Sequence, residues 1–269
     1  MSLRDIEYLT SYNKADHDIA EQFYLPSMRE ASRYDRISGY FGSTIYIIAW
    51  DALKEFIENN GKMRLVCSPY VSDEDAKALA EGYSARTDEI LIRSINEEVI
   101  GLFETPYLSA PAKLLAYMVA ESIIDVKIAI PTSAASPNAK RLFHDKVGLF
   151  ADMEGNRVGF RGSMNETFKG LSSDGNMESI DVFPSWMGDR DQERVEGAVD
   201  FFEKLWNEQV PGIATYCFPT ASKEILKSKA EGVRWEEALD EIKVIETGAD
   251  RWRPNHARKG KTPRPHQVN

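Results

Sequence analysis

Two rhythms of apolar residues run along this chain, one of period two and one of period 3.6, and most of the expected elements follow from where each starts and stops. Across residues 144–151 the period-two reading sets Val147, Leu149 and Ala151 on one face of a strand and His144 and Lys146 on the other. Glu154-Gly155-Asn156 is a turn signal, and Val158 and Phe160 carry the chain back, which predicts an antiparallel hairpin whose ends meet on one side. Residues 36–41 predict a first strand ending at Gly42-Ser43. Residues 44–59 predict a helix with an apolar face of Ile45, Ile48, Trp50, Leu53, Phe56 and Ile57, closed by Asn60-Gly61. Residues 62–68 follow as a buried strand. Strand, helix and strand at this spacing predict a βαβ unit and an α/β sandwich.

The remaining pattern is mostly helical. Residues 16–32 carry Ile19, Ala20, Phe23, Tyr24, Leu25 and Met28 at helical spacing, with Pro26 marking a kink. Residues 72–83 open on Ser72-Asp73-Glu74-Asp75, a good N-terminal signal, and 87–103 and 109–124 predict two more helices, the last with Pro111 near its first turn. A strand at 125–130 stops at Pro131 and leads into a polar loop, 132–141, just before the hairpin. A second polar loop, 169–176, precedes a strand at 178–183, where alternation places Glu178 on the face of Ile180 and Val182. Residues 189–208 predict a strongly amphipathic helix through Val195, Val199, Phe202, Leu205 and Trp206, and 222–246 hold two further helical stretches.

Composition narrows the class. With 269 residues, 42% of them hydrophobic, the chain can bury a sizeable core. It has no apolar run of about 18 residues and no signal-peptide core at its start, so neither a membrane span nor secretion is expected. Cys67 and Cys217 stand alone, which suits a reducing cytoplasm and offers no metal-ligand spacing. The net charge of −10 is unevenly spread: Arg251, Arg253, Arg258, Lys259, Lys261 and Arg264 follow Asp250 with no acidic residue among them. Without those six, residues 1–250 carry 27 basic against 43 acidic side chains, a net −16. An acidic body argues against non-specific polyanion binding over the whole surface and leaves a local basic groove as the alternative.

The hairpin carries the candidate chemistry. His144 and Lys146 stand at its start and Gly162-Ser163-Met164-Asn165 at its end, with Glu178 opening the next strand. Imidazole, ammonium, hydroxyl, carboxamide and carboxylate gathered in this way suit a phosphate and need no metal. Each piece alone has a plain structural use: an exposed strand histidine, a loop-stabilising asparagine, a solvated glutamate at a strand end. The conjunction is what singles them out.

His144-x-Lys146 followed by Gly162-Ser163-x-Asn165 resembles the HKD signature of the phospholipase D superfamily, especially its single-motif nuclease branch. The stretches 34–41, 162–167 and 178–183, together with Trp186, resemble the phospholipase D-type domains at the N-terminus of bacterial superfamily 2 helicases in restriction and phage-defence systems. In that family an Asp follows the Lys after four intervening residues. This chain has Ala151 there and Asp152 one place later, so Asp152 stands outside the catalytic set. Thr262-Pro263-Arg264-Pro265-His266-Gln267 is similar to the Arg-Pro-x-Gln entry of such helicase cores, where a Gln reads the adenine of ATP.

The resemblance implies a phospholipase D-like mixed sheet flanked by helices with a single HKD motif. It divides the chain into a nuclease domain at 1–210, a helical extension at 211–250 and a basic linker at 251–269 leading to a helicase core. It further implies a metal-independent, cofactor-free DNA endonuclease working through a phosphohistidine, with ATP used only by the helicase part. His144, Lys146, Ser163, Asn165 and Glu178 form the site: Lys146, Asn165 and Ser163 on the phosphate oxygens, Glu178 orienting an imidazole. Since His17, His256 and His266 lack a Lys two places on, the second half of the site is expected from another copy in a two-fold homodimer. A catalytically silent DNA-binding or dimerisation module is the alternative. A lipid phosphodiesterase is disfavoured by the lack of a basic amphipathic membrane helix.

Overall fold

The computed structural model describes residues 2–41, 45–68, 109–131, 143–217 and 220–247, with isolated positions 93, 96, 97, 100, 103 and 104. The predicted helix at 72–83, most of that at 87–103, the loop 132–141 and the tail after residue 250 lie outside these residues.

Among the described residues eight strands form one mixed sheet: β1 (Ser11–Asn13), β2 (Arg33–Ser38), β3 (Lys62–Cys67), β4 (Ile124–Pro131), β5 (Val147–Ala151), β6 (Arg157–Gly162), β7 (Ser179–Pro184) and β8 (Ile213–Cys217), in the order β1-β7-β6-β5-β2-β3-β4-β8. Pairs β2–β3 and β3–β4 are parallel; the other pairs are antiparallel. The α/β class is the one the hydrophobic pattern predicted, and the mixed sheet flanked by helices is the one the resemblance implied.

The α-helices among the described residues are α1 (Leu25–Glu30, continuing a π-helical turn at Ala20–Tyr24), α2 (Tyr46–Glu58), α3 (Ser109–Ala120), the short α4 (Phe168–Leu171), α5 (Asp189–Trp206), α6 (Thr220–Ala230) and α7 (Trp235–Thr247). They divide unequally over the sheet. On one face α1, α2, α3, α6 and α7 bury Met28, Phe56, Leu114, Leu226 and Ile242 with Tyr34, Phe150, Phe160, Ile180 and Val182 of the strands. On the other, α5 lays Val195, Phe202 and Leu205 against Ile37, Val66, Val147, Leu149 and Phe183. Burying each such side chain contributes about 1.5–3 kcal/mol. The residues after 210 thus share sheet and core with the rest: β8 pairs with β4, and Leu226 and Leu239 lie in the larger cluster.

Several boundaries move. Residues 36–41 were predicted as the first strand, but β2 spans Arg33–Ser38, because the chain turns out of the sheet at Gly39 and bonds to the loop after β6. His144 and Lys146 precede β5 rather than sitting within it. The helix predicted at 109–124 ends at Ala120, where Ser122 turns left-handed (φ 53°) and Ile123 N donates to Met118 O, a terminating geometry usually given to glycine. The predicted helix at 16–32 becomes the π turn and α1. Strands β1 and β8 had no counterpart in the pattern, being short and lacking clear alternation. The predicted Asn60-Gly61 stop is present: Asn60 is left-handed (φ 56°) and Gly61 N donates to Phe56 O. Among the described residues no helix is long and apolar enough to cross a membrane.

Candidate active site

The hairpin β5–β6 closes its open end as predicted. Val147 pairs with Arg161, Gly162 N donates to Lys146 O at 3.4 Å, and Ser163 N donates to Ser179 O at 3.0 Å, which draws the loop after β6 against the start of β7. Residues 143–146 run into β5 beside it, and β2 ends on its other flank. Three chain segments therefore converge on one point.

That point is Gly39. A Cβ there would stand 3.0 Å from His144 Cδ2, 3.2 Å from Asn165 Oδ1 and 3.4 Å from Lys146 Nζ. A side chain there would crowd imidazole, carboxamide and ammonium, which close in together over the bare glycine. His144 is exposed; Lys146 is only 5% exposed. Lys146 Nζ lies 3.1 Å from each ring nitrogen of His144 and donates to His144 O at 3.0 Å, so the two predicted residues are in direct contact. The Tyr40 ring meets the imidazole edge-on, with centroids 6.3 Å apart.

Asn165 is held by its oxygen, which accepts from Tyr40 N at 3.1 Å and lies 3.5 Å from Ser38 Oγ. Its amide nitrogen has no partner among the described residues, and an oriented N–H₂ beside an ammonium suits an anionic oxygen. Ser163 Oγ donates to the Glu178 carboxylate in a short bond and accepts from Ser179 N at 3.1 Å. Glu178 is 7% exposed, at the mouth of the buried face that its alternation with Ile180 and Val182 predicted. All five predicted residues thus cluster at the open end of the hairpin. Glu178 reaches the Ser163 hydroxyl rather than a histidine.

Burial lowers the Lys146 pKa from the ordinary lysine value, and the Arg36 charge lowers it further, against the opposing pull of Glu178 and Asp145. The ammonium is therefore poorly solvated, which strengthens its field on any anion that reaches it. Among the described residues no group of three or more His, Cys, Asp or Glu side chains is arranged to hold a metal ion.

Asp152 lies at the other end of β5, about 20 Å from Lys146 at strand rise. Its Oδ2 accepts from Ser2 Oγ (2.9 Å), Leu3 N (3.0 Å) and Asn156 Nδ2 (2.9 Å), and its Oδ1 from Glu154 N (3.0 Å) and Asn156 N (2.9 Å). It pins the β5–β6 turn to the N-terminus.

Some site residues had no role assigned by the sequence. Gly39 and Tyr40 were legible only as part of a strand end. Beneath them a buried network joins Arg36, Glu166, Tyr24 and Tyr34: Arg36 Nε meets Glu166 Oε2 at 2.8 Å, Tyr34 OH donates to the same oxygen at 3.1 Å, and Tyr24 OH donates to Oε1 in a short bond. The available signal was an arginine inside a strand with no alternation, because a buried charge requires a partner.

No family model and no curated protein matches the chain. Among solved structures it is similar to a phospholipase D family member, Nuc from Salmonella typhimurium, at 16% identity and a TM-score of 0.36, covering 71% of this chain and 87% of that one. It is also similar to phosphatidylserine synthase from Haemophilus influenzae Rd KW20, at 10% identity and a TM-score of 0.42, covering 87% of this chain and 46% of that one. With identities and TM-scores this low, neither likeness speaks to what this chain acts on.

Proposed function

We propose that the open end of the β5–β6 hairpin is half of a phosphodiesterase site that cleaves DNA without a metal. The observation that carries this reading is the approach of His144, Lys146 and Asn165 to within 3.0–3.4 Å of one Cβ position at Gly39, with Ser163 and Glu178 alongside. An imidazole nitrogen of His144 attacks phosphorus, and the bond from phosphorus to the leaving oxygen breaks as a second histidine gives that oxygen a proton. The same histidine then takes a proton from water, whose oxygen attacks phosphorus and frees His144. Splitting the displacement in this way replaces one hard step by two easier ones. Lys146 and the Asn165 amide bind the non-bridging oxygens, where charge builds up. Ser163, held by Glu178, completes that wall.

The second histidine is His144 of the partner subunit in a two-fold homodimer. Within one chain His17 is engaged elsewhere: its Nδ1 lies 3.2 Å from Asn13 N, and its ring packs against Tyr12. DNA as substrate, and delivery by a C-terminal helicase core in a restriction or phage-defence setting, rest on the sequence resemblance and on the basic segment after Asp250. Digestion of single- and double-stranded oligonucleotides in EDTA tests the reading, with His144→Ala as control. Cleavage by the wild type alone supports it; cleavage that EDTA abolishes, or that the variant retains, overturns it. DNA binding with no cleavage at all leaves the silent module. For the dimer, mixing wild type with His144→Ala reduces activity as the square of the wild-type fraction, whereas a self-sufficient monomer loses it in proportion.

A further inference from the structure

Two fully buried charges lie directly beneath this site and touch no surface. Arg36 is 0% exposed and Glu166 2%, and they come from chain positions 130 apart. Space for the arginine is built in. Gly148 faces Arg36 across the β5–β2 pair, and a Cβ there would strike the Phe160 ring, so the ring lies over the glycine and the Arg36 guanidinium packs 4.9 Å above its centroid. Lys146 is two residues before Gly148, on the same face.

The pair is more than a filled hole. Arg36 Nη2 donates to Met164 O in a short bond, and Ser38 Oγ accepts from Glu166 N at 3.0 Å while donating to Tyr40 O at 2.6 Å. Tyr40 N in turn holds Asn165 Oδ1. Among the described residues, the side-chain hydrogen bonds that fix the 164–166 backbone to the end of β2 thus come from Arg36 and its neighbour Ser38, beside the backbone bridge between Phe41 and Glu166. Meanwhile Arg36 Nη1 has no partner among the described residues. A buried ion pair with an unsatisfied donor is a poor way to gain stability, since apolar side chains of similar volume serve as well or better.

We infer that Arg36 and Glu166 are a positioning pair: they orient Asn165 for the phosphate and set the electrostatic environment of Lys146. Tyr24 and Tyr34 hold the carboxylate from behind, and burial and the Glu166 charge raise both of their pKa values, so their hydroxyls remain donors. The groups facing Lys146 are His144 and Asp145 on its own segment, Arg36 from β2 and Glu178 before β7. Of these Arg36 alone is a permanent cation, and Glu166 is its counter-charge.

The kinetic arm of the test rests on the phosphodiesterase reading; the titration arm does not. Lys146 is titrated by carbon-13 NMR in lysine-labelled protein, its signal assigned by its loss in Lys146→Met. Removing the cation in Arg36→Met moves the titration to higher pH, and removing the anion in Glu166→Gln moves it to lower pH. Arg36→Lys keeps the charge but cannot hold both Glu166 and Met164 O, so Lys146 titrates near its wild-type position. In all three variants kcat on a chromogenic phosphodiester falls by about 100-fold, as misplacement of a site by about 1 Å does, with KM within about threefold. The alkaline limb of the pH profile follows the Lys146 titration. Thermal melts show which variants fold, and Glu166→Gln and Arg36→Lys carry the test if Arg36→Met does not. A Lys146 titration unmoved in Glu166→Gln or in folded Arg36→Met, or kcat reduced only in proportion to folded protein, overturns the inference. A wild type inactive in EDTA overturns the phosphodiesterase reading, while the NMR titration still decides this one.

Discussion

The two ends of one hairpin use the same kinds of side chain for opposite purposes. At the turn, Asp152 receives five hydrogen bonds from Ser2, Leu3, Glu154 and Asn156, and its carboxylate is saturated. At the mouth, Lys146 is desolvated beside an exposed imidazole, and the Asn165 amide nitrogen has no partner among the described residues. Burial pushes the Asp152 pKa up, but the hydrogen bonds from Asn156, Ser2 and Leu3 outweigh it and hold the carboxyl below its ordinary value. At Lys146 burial is not outweighed, and the pKa goes down. A satisfied polar cluster stabilises; one with capacity left over binds something.

Breaking each end separates stability from activity. The largest effect is expected from His144→Ala, which lowers cleavage on the order of 10³- to 10⁴-fold, the scale of a lost nucleophile or proton donor, with little change in the melting temperature of so exposed a residue. Lys146→Met comes next, at about 10²- to 10³-fold in kcat for the loss of one oxyanion donor. The same substitution stabilises the fold. The sign follows from the pKa: a lysine whose folded value lies below its unfolded one costs stability wherever it is charged in both states, and the cost fades as pH rises through the folded value. Melts of Lys146→Met against wild type across pH 6–10 would show this gain shrinking at the alkaline end.

At the turn the pattern inverts. Asp152→Ala lowers stability by about 3 kcal/mol, since one buried and four part-buried donors lose their acceptor, and leaves kcat per folded molecule unchanged. Because the Asp152 pKa is depressed on folding, its contribution is complete above the ordinary carboxylate value near 4 and is lost as pH falls through the folded value. Denaturant titrations at pH 7 and pH 3 would therefore show the wild type and Asp152→Asn converging in acid. The smallest effect sharpens the comparison at its centre: Gly39→Ala crowds His144, Asn165 and Lys146 and lowers kcat by about tenfold, read by steady-state kinetics, with a melting temperature within a few degrees of wild type.

How much of this was legible in the sequence depends on distance along the chain. The β5–β6 hairpin, the β2–α2–β3 unit and α5 were readable because alternation, turn residues and helical spacing are local signals. The mouth of the hairpin was readable for the same reason: His144 to Asn165 is one supersecondary unit, and Glu178 directly precedes the next strand. β2 was misplaced by three residues because Arg33-Tyr34-Asp35-Arg36 looks polar, and its two arginines and aspartate find partners far away. Arg64 pairs with Asp35 at 2.7 Å and Arg36 with Glu166 at 2.8 Å. Nothing local in 33–36 announces residue 166. β1 and β8 were missed because three and five residues at the sheet's edges take their conformation from the strands they pair with, β7 and β4.

The central claim is that His144 itself becomes bonded to phosphorus. The direct measurement is to mix the protein with end-labelled oligonucleotide in EDTA, stop the reaction in alkaline denaturant, and map the labelled peptide by mass spectrometry. A DNA–phosphohistidine adduct on His144 that forms before product and is absent from His144→Ala is the predicted result. Cleavage in EDTA with no adduct, or with the adduct on another residue, would contradict it.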